Sequence, residues 1–265
     1  MPVLKTYRTE ALVLKNHPLG EADLLVVCYT RESGKVRATA RAARKVSSRL
    51  VGHLEPLTLV NLSLTRGRTL DQVAQAQVAD SFPALRNALP ALSRGLYVAE
   101  LLDGFGSEAS PNPELYSLAL EVLAGIGRSP ESDLPLRYFE LRLLETSGLL
   151  PELYQCVECR KPLVPGDHRF TPNGGGTLCS QCAPLGAHLR PLSVRTLKVL
   201  RLLHRQRLAE IPSLTIDHQL AQELKATLTA SVEHWLDQQV RSSAFLDHLR
   251  RTTPAEPATE SAAHA

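Results

Sequence analysis

The sequence predicts an α+β protein: a small β-barrel, then helices, with a four-cysteine metal motif inserted among them. Three observations carry this. Five short strand-like runs fall within the first 80 residues. Apolar residues recur at helical spacing after Ser81-Phe82-Pro83. Cys156, Cys159, Cys179 and Cys182 are spaced C-x2-C-x19-C-x2-C.

Tyr7–Leu14 is mixed but strand-like, and Leu24–Thr30 (LLVVCYT) is a short apolar β-rich run. Arg31-Glu32-Ser33-Gly34 supplies a turn before Lys35–Ala40, which alternates polar and apolar. Leu57–Leu64 is a fourth strand, Thr65-Arg66-Gly67-Arg68 a turn, and Leu70–Ala79 a fifth strand. Five such strands in so short a stretch suggest closure into a barrel over residues 1–80. Residues 81–150 read as a helical unit: Leu92, Leu96, Ala99 and Leu102 share a face within Ala91–Phe105, Asn112-Pro113 starts a second helix to about Ile126, and Ser132-Asp133 opens a third through Leu144, ended near Gly148. Residues 151–190 hold the cysteines with many Pro and Gly, and need a staple to fold. In residues 191–250 Ser193 caps a helix to about Leu208, and Leu220–Leu249 contains another. Residues 251–265 read as a disordered tail.

Each Cys-x2-Cys turn can offer two thiolates to one metal, and the 19-residue excursion brings the second pair round to complete a tetrahedron. Four sulfur ligands suit one structural Zn²⁺ with no position left for water. The rival readings are two redox or unpaired Cys-x2-Cys turns, or an iron–sulfur cluster. His168 and His188 read as surface histidines, and Cys28 as a small core residue.

Charge is unevenly spread. Residues 1–80 carry 12 Lys/Arg against 7 Asp/Glu, and residues 81–150 carry 5 against 9. Seven of the cations crowd into residues 31–49, against one acid, Glu32. Lys35 and Arg37 share one face of a strand, and Arg41, Arg44, Lys45 and Arg49 continue into the connection that follows. Such an array can track a phosphate backbone, with affinity falling steeply with salt. The blander reading is a solvated strand face. Tyr7 and Tyr29 are the only aromatics in the first 80 residues, so base stacking is poorly supplied and backbone contacts should dominate. Arg195, Lys198, Arg201 and Arg205 form a possible secondary basic face. It either solubilises a helix whose core stripe is Leu197, Leu200 and Leu203, or extends a DNA path, or docks an acidic peptide.

No phosphate-binding GxxxxGK[ST] loop, HExxH or GxSxG occurs, and no carboxylates cluster as in a nuclease; Glu140 and Glu145 read as helix-surface residues. A nonenzymatic role is therefore expected. The opening residues lack a signal-peptide core and no apolar run is long enough to span a bilayer, so a cytoplasmic, nucleoid-associated protein is expected.

The order of features resembles the bacterial recombination mediator family RecO. The resemblance rests on Tyr7–Leu14 with Leu19-Gly20-Glu21-Ala22-Asp23, Leu24–Thr30 with Glu32-Ser33-Gly34-Lys35, and Ala40–Lys45 with Ser48-Arg49-Leu50. Leu54-Glu55-Pro56-Leu57, residues 67–81, Tyr138–Pro151 and the four cysteines also fit. Ala42 stands where the family usually has glycine. Residues 5–185 are covered well and the C-terminal helices loosely. The resemblance implies an N-terminal five-stranded OB-fold, a helical domain and a zinc-ribbon-like insertion. It implies annealing of complementary single-stranded DNA, including strands coated by single-strand binding protein (SSB), and, with the partner RecR, help for RecA in replacing SSB on gapped DNA. The backbone-dominated contacts read from the residues extend the expected partners to duplex DNA. A groove for the acidic SSB C-terminal tail would need a basic pocket from Arg128, Arg137 or Arg142, and the net acidity of residues 81–150 argues mildly against that location. The alternatives are a zinc-containing interaction adaptor without DNA contact, and a metal-dependent nuclease.

Overall fold

The computed structural model describes residues 6–50, 52–183, 189–212 and 214–252 of the chain; His188 and residues 253–265 of the expected tail lie outside them. The five runs become β1 (Thr6–Leu19), β2 (Asp23–Thr30), β3 (Gly34–Ala40), β4 (Leu59–Thr65) and β5 (Asp71–Asp80). They close into a barrel of order β1-β2-β3-β5-β4, the five-stranded OB-fold. All its pairings are antiparallel except β3 with β5, which meet in parallel at Ala38↔Asp71 and Thr39↔Gln72.

Alternation along the strands separates two cores. Ala11, Val13, Val26, Cys28, Ala38, Leu62 and Leu64 fill the barrel, with Ala43 and Leu54 from the long β3–β4 connection buried against them. The intervening Leu12, Leu14, Val27 and Tyr29 point outward and are buried in the core of the helices. Ala11–Leu14 and Val26–Thr30 are therefore buried without interruption, as strands covered on both faces must be. Burial alone pushes the Cys28 thiol up to about 12, which keeps it protonated and inert.

The helical unit comprises α1 (Pro83–Arg86), α2 (Leu89–Phe105), α3 (Pro113–Arg128) and α4 (Leu134–Thr146). Asn112 caps α3, its Oδ1 accepting from Leu115 N at 2.9 Å, while its Nδ2 donates to Thr146 O at 3.2 Å and ties α3 to the end of α4. Gly34 seats the barrel on this unit. Its φ is +66°, and a Cβ there would lie 2.8 Å from Ser107 O, so only glycine fits beneath the α2–α3 linker.

Residues 151–190 contain strands that their composition does not announce. β6 (His168–Thr171) pairs with β7 (Gly176–Leu178) and with β8 (Arg190–Leu192) in the order β7-β6-β8. α5 (Val194–Arg205), a 3₁₀ turn at Leu208–Glu210, α6 (His218–Leu236) and α7 (Arg241–Thr252) follow. The single helix expected over 220–249 is thus two. Asp237 adopts φ 52° and ends α6, and the Glu100 carboxylate accepts from Arg241 N (2.9 Å) and Ser242 N (2.8 Å) to start α7 on α2. Arg251 and Thr252 belong to α7, not to a tail.

Two expectations about polar residues are corrected. Glu140 is fully buried, because α4 is covered on nearly every side. Its carboxylate accepts from Tyr97 Oη and lies 2.9 Å from Arg137 Nη1, itself 4% exposed. Burial outweighs the Arg137 charge and raises the Glu140 pKa. His168 is buried rather than superficial, and its Nδ1 donates to Gly166 O at 2.7 Å.

Candidate nucleic-acid interface and metal centre

The predicted cation array divides in two. Lys35 and Arg37 lie opposite the barrel interior, as alternation requires, but that outer face is the one Val27 and Tyr29 turn to the helices. Lys35 Nζ donates to Asp103 O at 2.6 Å and lies 3.6 Å from Asp103 Oδ1, with only 19% of its side chain exposed. Arg37 lies 3.7 Å from Glu108 Oε1. Lys15 also pairs with Asp103, at 2.5 Å. These contacts join the barrel to acids of the helical unit; Lys35 is largely covered by them, whereas Arg37 keeps 47% of its side chain exposed. Lys35→Met is expected to cost about 1.5 kcal/mol, the lower end for a hydrogen bond from a charged group. The urea midpoint should fall while DNA affinity changes less than about twofold.

Arg41, Arg44, Lys45 and Arg49 are exposed on the β3–β4 connection. Arg44 Nη1 donates to Gly20 O (3.2 Å) and Glu21 O (3.1 Å), and its N–H to Ala22 O (2.8 Å), which stitches the connection to the β1–β2 turn. Arg41, Lys45 and Arg49 have no acidic partner among the described residues. Ala42 sits at φ 52° with its N–H donated to Asp23 Oδ1 at 2.7 Å. A left-handed alanine costs about 1–2 kcal/mol, part of which glycine returns through its freer unfolded chain. Ala42→Gly should therefore raise stability by roughly 0.5–1 kcal/mol, read from a shifted urea midpoint.

The secondary basic face is mostly engaged. Arg195 pairs with Asp217 at 2.6 Å. Arg201 Nε donates to Leu153 O (2.8 Å) and its guanidinium lies 5.0 Å from the Tyr154 ring centre. Arg205 Nε donates to Tyr154 Oη (3.1 Å) from the same helix. These contacts fasten the cysteine module to α5. Lys198 alone is exposed without a partner among the described residues.

The four cysteines converge. Their Sγ atoms lie within 4.8 Å of one another, and those of Cys159 and Cys179 are 3.9 Å apart. A sulfur tetrahedron round an ion at about 2.3 Å has edges of about 3.8 Å. The first turn is closed by Arg160 N donating to Cys156 O (2.9 Å) and Cys156 N to Lys161 O (2.9 Å), the second by Cys182 N and Ala183 N donating to Cys179 O (both 3.1 Å). Cys179 N also donates to Cys156 Sγ at 3.4 Å. Burial acts to raise the Cys156 thiol, but backbone N–H donors from Cys179, Cys159 and Glu158 together prevail and lower it to about 6. The Cys159 and Cys179 sulfurs hydrogen-bonded to Cys182 push that thiol up to about 12. Sulfurs this close ionise together only around a cation, so the donor set fits a soft tetrahedral metal ion. Gly176 holds the scaffold tight: at φ +153° a Cβ would lie 2.5 Å from Glu152 N, where the chain entering the first turn pairs with the β6–β7 hairpin.

A groove of about 1080 Å³ opens on the barrel, lined among others by Arg8, Arg49, His53, Asn61, Ser63, Gln75 and Gln77. Only Arg49 among these was singled out from sequence. The alternation of polar residues in β4 and β5 is the signal that marks the rest.

No helix among the described residues is long and apolar enough to cross a membrane. The sequence matches the family models Recombination protein O N terminal over residues 4–82 and Recombination protein O C terminal over residues 86–244. It is 38% identical over 247 residues to DNA repair protein RecO of Roseiflexus sp. (strain RS-1), covering 93% of this chain and 87% of that one. It is 39% identical over 244 residues to DNA repair protein RecO of Desulforudis audaxviator, covering 92% and 97%. DNA repair protein RecO of Dehalococcoides mccartyi (strain BAV1) is 33% identical over 244 residues, covering 92% and 96%.

Proposed function

Because the chain belongs to the RecO family of DNA repair proteins, we propose that it binds and anneals single-stranded DNA without catalysing a covalent step, and with RecR helps load RecA onto SSB-coated strands. The observation that carries the DNA contact is the exposed run Arg41, Arg44, Lys45 and Arg49, on a connection tied to the barrel where Arg44 and the Ala42 N–H bond to Gly20, Glu21, Ala22 and Asp23. Clustered cations lower the repulsion between two phosphate backbones and so favour pairing, whatever the base sequence. Lys35 and Arg37 act instead as bridges to the helices. The metal is structural Zn²⁺: four sulfurs leave no open position, and the module is clamped to α5 through Tyr154. An SSB tail finds no cation in Arg137, which is buried, or in Arg142, paired with Glu145 at 2.6 Å. Arg128 is the exposed member of that trio.

A gel shift with and without Mg²⁺ tests the reading. The chain should retard single strands at low salt and cleave nothing in Mg²⁺. Changing Arg41, Arg44, Lys45 and Arg49 together to alanine should weaken binding and flatten the log K against log salt slope by about 3. Negligible binding at low salt would favour a zinc-containing adaptor, and cleavage a nuclease.

A further inference from the structure

We infer that the outer edge of β5 is a strand-pairing surface, and that its occupant is β5 of a second copy of this chain. The inference stands apart from the DNA-binding reading and does not need it. β5 pairs with β4 from Gln72 to Asp80, but β3 meets it only at Asp71 and Gln72. β3 ends at Ala40, and the chain then turns away to the β1–β2 turn, where the Ala42 N–H donates to Asp23 and the Arg44 N–H to Ala22 O. From Val73 onward no described residue makes a backbone hydrogen bond to the side of β5 that faces away from β4. Such an edge presents unpaired N–H and C=O groups that another strand can use.

Strand edges are ordinarily blunted by lysine, proline or an inward-pointing charge. Residues 73–79 of β5 (VAQAQVA) hold no charged residue and no proline, and Ala74, Gln75, Gln77 and Ala79 are exposed. Against β4 the register shifts between Ser63 and Leu64 and again between Leu59 and Val60. The regular run is therefore 75–78, with Ser63↔Gln75 and Asn61↔Gln77 as its polar rungs. The groove of about 1080 Å³ is lined both by residues 74–77 and by Arg49, Leu50 and His53 of the connection, so open space rather than packed chain separates them. Its lining carries no net charge, Arg8 and Arg49 against Glu10 and Glu32, and so suits an uncharged strand rather than a polyanion. β5 itself is such a strand. In an antiparallel twofold pairing centred on Ala76, Gln75 faces Gln77 of the second copy on both sides of the axis, Ala74 faces Val78, and no like charges meet. Each amide both donates and accepts, so the two glutamine pairs are self-complementary, as an isologous interface requires. A twofold dimer also carries two β3–β4 connections, one for each strand to be paired.

The test is sedimentation velocity of the full chain, without DNA, from about 1 to 100 µM, the range expected of a small interface. The unaltered chain should pass from monomer to dimer as its concentration rises. Gln75→Lys/Gln77→Lys sets lysine against lysine twice across the axis and should raise the dimer dissociation constant at least about tenfold. Gln75→Glu/Gln77→Lys sets glutamate against lysine twice and should dimerise at least as tightly as the parent. A chain that stays monomeric throughout overturns the inference and leaves the edge to an extended strand of another protein. A dimer that the double lysine change leaves intact, or that both variants weaken alike, overturns it too. Hydrogen exchange of the unaltered chain gives a reading independent of variant folding. Amides of residues 74–78 that exchange more slowly at the higher concentration support the pairing, and concentration-dependent protection confined to residues 83–252 overturns it.

Discussion

Removing the metal with a chelator, or changing Cys156 to serine, is expected to lower the melting temperature by more than about 10 °C and to unfold residues 151–192. The magnitude follows from two facts. Structural zinc contributes apparent binding free energies of about 10–16 kcal/mol in peptides that fold around it. Here the module is not a separate appendage: Leu153, Cys156, Phe170, Leu178 and Leu192 are buried in the same core as the helices. Its loss exposes apolar surface of the helical unit and strips Arg201 and Arg205 of Tyr154. Even about 4 kcal/mol moves the midpoint of a chain of this size by roughly 8–16 °C. Circular dichroism melts with and without chelator measure it, beside one zinc per chain by atomic absorption. A folded, metal-free chain with four reactive thiols and an unchanged melting temperature refutes the assignment. The barrel should keep its DNA affinity in the chelated chain, since no cation of the β3–β4 connection touches the module among the described residues.

Glu140→Ala is expected to destabilise the chain by about 3–5 kcal/mol. The substitution leaves Arg137, 4% exposed, facing no carboxylate, and leaves the buried Tyr97 hydroxyl without its acceptor. Glu140→Gln keeps an acceptor for Tyr97 and should cost less. The pH dependence has a definite sign. Burial, ahead of the opposing Arg137 charge, raises the folded pKa of Glu140 above its unfolded value. Its contribution to stability is then fully present below the unfolded value and lost as pH rises through the folded one. Glu140→Gln should remove that decline. Urea denaturation across the pH range checks both the magnitude and the slope, and a Glu140→Ala variant within about 1 kcal/mol of the parent would show that the trio is dispensable.

Local chemistry made much of the molecule legible. The alternation in Lys35–Ala40, the turn at Arg31–Gly34 and the Asn112 cap each depend on neighbours in sequence, and each element lies where those neighbours put it. The Asp237 break was not legible, because what starts α7 is Glu100, a residue 141 positions away from Arg241. The β6–β7–β8 sheet was hidden for a related reason: its strands are three or four residues long and are held by pairing and by the cysteine turns. The groove rungs were in plain sight as alternating polar residues, but alternation does not say whether an outer face is open or covered.

The sequence by itself determined the five strands of the barrel, the starts of α3, α4 and α5, the sulfur quartet and the excess of cations near the N-terminus, because each is set by residue type and spacing along the chain. Only the tertiary structure decided which of those cations are free. Strand periodicity sends Lys35 and Arg37 away from the barrel interior, yet the surface they reach is the one the helices cover with Asp103 and Glu108. Coulomb attraction acts through space, so the Asp103 carboxylate, 68 residues away in sequence, pairs with Lys35 while the stretch around it reads as basic with one acid, Glu32.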